Sequence, residues 1–294
     1  MSRLTSLFRL IPDAVRPFLS YTQRPLLTLA CLDISTWRLP EPGVLSIQYY
    51  NTVAYPEHIA ILDDAIIVAG YEGVTYSHFA IEPSIYGDYH LPVNNYLRDL
   101  KTCQNKLLVY PYSHYLYLDD ELIGLKHNTG RTVCETPTGF VVLCATGVMR
   151  QNEYIRGLLM FYENDVNTHT VQTPHLWKSM TWVGKGNIAF AATRTLMDCA
   201  EVYLLSIDGE VLDLFTAETD GRMGISVLYD SLWDEYLISG DNCIMALSEW
   251  GKRIVYEYDD SDNSYYLHAL TWLNKRSLLF CIRNQNMLGQ VEMK

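Results

Sequence analysis

Six times along the chain an apolar run, a short polar break and a second apolar run recur. The second runs begin near Ile66, Leu107, Phe140, Ile188, Tyr236 and Leu278, so successive starts lie 41, 33, 48, 48 and 42 residues apart. Runs of this length, rich in β-branched and aromatic residues and bounded by turn formers, read as strands. Recurrence at this period makes each unit a small sheet that buries its faces against the next. The constraint is therefore an all-β chain of stacked repeats. A hydrophobic fraction of 49% supplies a core for it, and no apolar stretch approaches the roughly 20 residues of a membrane-spanning helix.

The hairpins fit this plan. Residues 200–207 and 210–215 flank Asp208-Gly209, read as a tight two-residue turn with both central residues at positive φ. The pairs 244–248 with 253–256, 115–118 with 122–125, and the longer span Leu158–Val171 repeat the arrangement. Thr181-Trp182 and Thr271-Trp272 occupy matching places ahead of two second runs, another sign of internal repetition. Gly184-Lys185-Gly186-Asn187 joins two strands and opens no helix, so it reads as a hairpin loop and not as a phosphate cradle.

Taken together, residues 44–294 resemble the β-propeller superfamily on repeat spacing alone. Neither a Trp-Asp with Gly-His pair nor a double-glycine signature assigns a narrower family. Ser206-Ile207-Asp208-Gly209 is similar to a sialidase aspartate box, but the trailing aromatic is missing and the turn explains it. The expectation is one propeller over 25–294 with six four-stranded blades. The last blade contributes only three strands, ending at Met287–Met293. Val44–Tyr50 is expected to close it, which removes an open sheet edge. Leu26–Ile34 leaves a seventh blade open.

Residues 1–24 differ in character, carrying +3 against −15 for the rest. Leu4, Leu7, Phe8, Leu10 and Ile11 fall at helical spacing, with Pro12 and Pro17 limiting the segment. The expectation is a short amphipathic basic helix. It serves as a cap over the ring or as a docking arm using Arg3, Leu7, Phe8, Arg9 and Ile11. A targeting role is the third alternative.

A net charge of −12 argues against nucleic-acid binding, which needs a concentrated basic surface. It suits either simple solubility or a basic protein partner. The seven cysteines are odd in number, scattered and without a Cys-x-x-Cys pair, which points to buried free thiols and a reducing, cytoplasmic setting.

Catalytic motifs do not stand out. Adjacent acids such as Asp63-Asp64 and Asp119-Asp120 fall where turns are expected, and the eight histidines form no metal-binding spacing. No resident cofactor is expected. Asp259, Asp260 and Asp262 present a set of oxygen donors that a calcium ion accepts, but a solvated loop between strands is the favoured reading of them.

Tyrosines cluster near turns, and Tyr supplies contact area with a polar tip. The candidate partner-binding set is therefore Tyr86, Asp88, Tyr89, Tyr112, Tyr115, Asp119, Asp120, Asp259, Asp260, Asp262 and Tyr265, many of which also suit packing between blades. The leading expectation is a non-catalytic interaction propeller. It would be an inhibitor or immunity-type protein neutralising a basic partner, or a subunit of a larger assembly. The alternative is a metal-dependent hydrolase or lyase with its site in the central channel.

Overall fold

The computed structural model describes residues 44–51, 55–62, 65–70, 97–111, 115–119, 121–125, 129–145, 157–163, 165–258 and 266–293. They form a β-propeller. Five sheets are four-stranded and antiparallel. The first comprises β4 (Leu97–Cys103), β5 (Lys106–Pro111), β6 (Tyr115–Leu118) and β7 (Glu121–Gly124). The next is β8 (Thr129–Thr136), β9 (Gly139–Ala145), β10 (Gly157–Glu163) and β11 (Val166–Thr173). A third is β12 (Ser179–Lys185), β13 (Ile188–Thr193), β14 (Cys199–Leu205) and β15 (Val211–Glu218). β16 (Met223–Asp230), β17 (Glu235–Gly240), β18 (Cys243–Ser248) and β19 (Gly251–Glu257) make the fourth.

In the fifth, β20 (Leu267–Asn274), β21 (Ser277–Ile282) and β22 (Met287–Met293) are completed by β1 (Val44–Asn51). A two-stranded sheet, β2 (Pro56–Leu62) with β3 (Ala65–Gly70), stands between the first and fifth.

The expected six four-stranded blades are thus corrected to five. The unit containing Ile66 has two strands among the described residues, and residues 71–96 after it lie outside them. The N-terminal helical segment and the extra strand over Leu26–Ile34 also fall outside the described residues. The six second runs read from the sequence are β3, β5, β9, β13, β17 and β21, each the second strand of its sheet.

Closure follows the expected route. β1 pairs antiparallel with β22, from Val44 opposite Met293 to Asn51 opposite Met287. Tyr49 of β1 is fully buried, and its hydroxyl donates to that of Tyr256 in β19 at 3.1 Å. Each core cluster lies between neighbouring sheets, so the hydrophobic burial works around the ring. Cys103, Cys134, Cys144 and Cys281 are free and buried in these cores. Among the described residues, no helix is long and apolar enough to cross a membrane.

One turn differs from expectation. Gly209 has φ of 74°, but Asp208 is not in the positive-φ region. The Ser206 amide donates to the Glu210 carbonyl at 2.9 Å and the Gly209 amide to the Ser206 carbonyl at 3.1 Å. A three-residue loop ending in a left-handed glycine satisfies the same sequence, because its first positions use ordinary right-handed backbone.

The first strand of every sheet is innermost. β2, β4, β8, β12, β16 and β20 each pack against the next around a closed circle, and β20 returns to β2. Side chains tie several of these neighbours together. The Val133 amide and the Thr132 hydroxyl both donate to Asp99 Oδ2, at 3.0 and 2.6 Å. The Val227 amide donates to Ser179 Oγ and the Leu270 amide to Ser226 Oγ, each at 3.2 Å. In every case a residue of one inner strand satisfies a backbone donor of the following one.

Asp99 is buried. Burial would raise its carboxyl, but Lys101, His58 and Thr132 outweigh that and hold it at about 2. Its contribution to stability is therefore complete above the ordinary value of 3.8 and is lost as pH falls toward 2. Removing it strands three donors, since the Leu100 amide also donates to its Oδ1 at 2.9 Å, so Asp99→Ala is expected to cost about 3 kcal/mol. Ser179→Ala and Ser226→Ala each leave one donor and should cost about 1 kcal/mol. Urea midpoints at unchanged m-value measure this ranking; equal small losses in all three would contradict it.

Candidate functional site

The hydrogen bonds between inner strands fix a common register. Two positions before the amides of Val133, Val227 and Leu270 stand Arg131, Ile225 and His268. Immediately before the acceptors Asp99 and Ser179 stand Arg98 and Lys178. Carried to β2, where His58 occupies the acceptor position, the equivalent residue is Glu57. One level of the channel, where the inner strands begin, is thus ringed by Glu57, Arg98, Arg131, Lys178, Ile225 and His268. Arg222 and Arg283 reach the same mouth: both influence His268 electrostatically, as do Lys178 and His58.

The carboxylates here are engaged. Glu57, only 4% exposed, has Oε1 2.8 Å from Arg283 Nε. Asp99 accepts the three bonds already described, and its Oδ1 lies 3.8 Å from His58 Nδ1. Arg222 pairs with Asp241 at 3.2 Å and stacks 4.6 Å above the Tyr266 ring.

Arg222 is delivered by a backbone irregularity. Gly224 has φ of 85°, the β16 register slips between Met223 and Ser226, and a Cβ on Gly224 would meet the Arg194 carbonyl oxygen at 1.9 Å. Only glycine fits.

Lys178 retains solvent contact, yet its ammonium sits among the walls of the mouth. That enclosure lowers its pKa. Glu57 opposes the shift, Arg98 adds to it, and Asp99 and Arg131 follow with opposite signs. The His268 imidazole is pushed well below its ordinary value by burial first, then by Lys178, Arg283, His58 and Arg222.

The far end of the channel opens into a cavity of about 560 Å³, walled by all six inner strands. Thr181, Trp182, Thr271 and Trp272 line it together with Lys101 and Cys134. The paired Thr-Trp dipeptides of the sequence therefore line one cavity. Trp272 Nε1 donates to the Tyr229 carbonyl at 3.2 Å, and the Thr102 hydroxyl donates to the Ile61 carbonyl. Burial drives the Cys134 thiol strongly up and that of Cys144 to about 12, so neither is a poised nucleophile.

Outside the ring, a groove runs between β15 and the β18–β19 hairpin. One part, about 780 Å³, is lined by Asp198, Glu218, Asp220 and Glu257, with Lys252 bonded to the Glu218 carbonyl. Another, about 420 Å³, is lined by Leu214, Phe215, Leu247 and Gly251. Beside it Leu212 and Leu214 are exposed, and the Trp250 indole is 90% exposed.

Of the residues singled out from the sequence, Tyr115 and Asp119 are described. Tyr115 is half-buried in β6, edge-on to Tyr117 at 6.0 Å. Asp119, with φ of 49°, accepts the Leu107 amide at 2.8 Å and so organises a turn. Tyr86, Asp88, Tyr89, Tyr112, Asp120, Asp259, Asp260, Asp262 and Tyr265 lie outside the described residues, as do Arg3, Leu7, Phe8, Arg9 and Ile11. Among the described residues, no group of three or more His, Cys, Asp or Glu side chains forms a metal-holding cluster.

The channel residues were missed, although they carry a signal. Glu57-His58, Arg98-Asp99, Arg131-Thr132 and Lys178-Ser179 each place two polar residues directly before an apolar one, in four of the six repeats.

No family model matches this chain, and no curated protein matches it. Solved structures do. A putative gluconolactonase aligns with TM-score 0.54 and 11% identity over 91% of this chain and 98% of that one. Virginiamycin B lyase from Staphylococcus aureus aligns with TM-score 0.53 and 12% identity over 85% of this chain and 99% of that one. At such identity the likeness establishes the propeller fold alone.

The environment of His268 has a measurable consequence. Below pH 6.5 the unfolded chain takes up a proton that the enclosed imidazole refuses, so folding stability falls with pH in that range. His268→Gln should flatten this part of the profile. Urea midpoints from pH 7 downward, compared between the two proteins, measure it; identical slopes would show that His268 is not held neutral.

Proposed function

We propose that the chain is a non-catalytic interaction propeller that docks a basic protein partner along the groove between β15 and β19. The observation carrying this reading is the coincidence of exposed apolar side chains and carboxylates at that groove. Trp250, Leu212 and Leu214 offer anchors of the kind that dominate interfaces, and Asp198, Glu218, Asp220 and Glu257 supply charge complementary to lysine and arginine. Inhibition of a basic protein, or service as a stoichiometric subunit, both follow from such docking. The free cysteines support a reducing compartment such as the cytoplasm.

The channel chemistry favours this reading over a metal-dependent hydrolase or lyase. A hard divalent ion needs converging oxygen donors, whereas guanidinium and ammonium groups dominate the mouth. Glu57, Asp99 and Asp241, described carboxylates there, are already held by Arg283, His58, Thr132, Val133 and Arg222. The names of the structural neighbours describe enzymes, but none of their chemistry transfers at this identity.

Affinity purification from the native source, comparing wild type with Trp250→Ala, Leu214→Lys and Lys178→Met, tests the proposal. One basic partner in near-equal amount is expected with wild type and Lys178→Met. A central tryptophan is worth about 2 kcal/mol, so Trp250→Ala should weaken capture roughly thirtyfold, and Leu214→Lys should abolish it. Absence of a partner, or equal recovery with all four proteins, would sink the reading.

A further inference from the structure

We infer that residues 1–24 of this chain occupy the groove between β15 and the β18–β19 hairpin, standing in for the basic partner until it arrives. The inference rests on the reading of that groove as a docking surface. Residues 1–24 lie outside the described residues, but their sequence and the groove match in charge, in apolar pattern and in reach.

Asp198, Glu218, Asp220 and Glu257 line one part of the groove. Lys252, the cation beside them, is spent on the Glu218 carbonyl. Among the described residues, no ion pair within 4 Å engages Glu218, Asp220 or Glu257. Residues 1–24 carry Arg3, Arg9, Arg16 and Arg24 against Asp13 alone. The most basic stretch of the chain thus complements an acidic groove on its own ring.

The other part of the groove is apolar. Leu214 and Phe215 line it, Leu214 is 40% exposed, and the exposed Trp250 indole stands beside it. Covering such surface is favourable. Leu4, Leu7, Phe8 and Ile11 follow the i, i+3, i+4, i+7 spacing by which a helix lays its apolar face into a groove. From Arg3 to Ile11 a helix spans about 14 Å, within the ~27 Å of an eight-residue strand such as β15.

Reach follows from ring closure. β1 and β19 are the outer strands of neighbouring sheets. Both run in the same sense, as fourth strands of antiparallel sheets, and Tyr49 and Tyr256, each sixth in its strand, meet through their hydroxyls. Val44 therefore starts β1 near the Gly251 end of β19, where Trp250 stands. Residues 25–43 join the arm to it and can span about 60 Å, against the roughly 10 Å between packed sheets that must be crossed. Tethering gives an effective concentration on the order of millimolar, so an arm binding with a Kd of about 0.1 mM fills the groove roughly ten to one.

Hydrogen exchange of the full chain tests this, comparing wild type with Phe8→Asp at residues 211–218 and, for reference, 139–145. Phe8→Asp should speed exchange along the free edge of β15 about tenfold and leave β9 unchanged. A synthetic peptide of residues 1–24, added to the Phe8→Asp protein, should restore slow exchange. It should fail to do so when Leu214→Lys is also present. Equal exchange in wild type and Phe8→Asp, no restoration by the peptide, or restoration despite Leu214→Lys would overturn the proposal. So would loss of β9 protection in Phe8→Asp, which would place Phe8 in a core. Protection that falls on dilution of wild type would also overturn it, by assigning the groove to the arm of a second copy. The exchange readout needs no partner, so its failure and a failure of partner capture are told apart.

Discussion

An innermost propeller strand has a neighbour in its own sheet on one side only, and its other edge faces the channel wall. Left there, its amides would be buried without partners, at a cost comparable to a lost hydrogen bond each. This chain answers the problem with side chains. Asp99, Ser179 and Ser226 each turn sideways to accept an amide of the following inner strand. The same bonds that satisfy the backbone set the height of each strand relative to the next. Asp99 does the most, since it is ionised, accepts from both a hydroxyl and an amide, and is fixed by Lys101 and His58.

That register has a consequence for the site. Once the acceptor positions are level, the residues preceding them are level too, and they project where the channel begins. Closure by β1 and β22 keeps the circle intact, with Tyr49 and Tyr256 sealing the last inter-sheet core. The mouth is thus assembled from residues as distant in sequence as Glu57 and Arg283, which meet at 2.8 Å. Neither motif nor local spacing brings such a pair together; only the ring does.

The same logic explains what could be read in advance. Second strands such as Phe140–Cys144 and Leu278–Cys281 are buried on both faces and appear as unbroken apolar runs, so the repeat was legible. Closure by Val44–Tyr50 was legible as well, because a three-stranded final unit requires a fourth strand. The apolar runs mark inner strands and carry little information about outer ones. β15 illustrates this: most of its side chains are exposed. Tyr115 packs, partly buried, against the core between the β2–β3 sheet and the first sheet, and Asp119 serves a turn. The useful signal was quieter. The polar pairs at 57–58, 98–99, 131–132 and 178–179 recur with the period of the repeat itself, at strand positions where core residues would be expected.

Charge is sorted by this architecture into two regions of opposite sign. With five cations gathered at the mouth, the remainder of the chain carries a deeper negative excess than its net −12 suggests. At physiological ionic strength the field of the outer carboxylates is screened beyond roughly 8 Å. It acts on a charged surface only at contact. Inside the mouth, screening is weaker because protein walls replace salt solution, and the interaction between neighbouring cations is correspondingly stronger. The two regions therefore differ in the sign of the charge that they present. The inner-strand hydrogen bonds keep them apart, since they level the strand positions that carry Arg98, Arg131 and Lys178, while Glu218 and Glu257 sit on the outer strands β15 and β19.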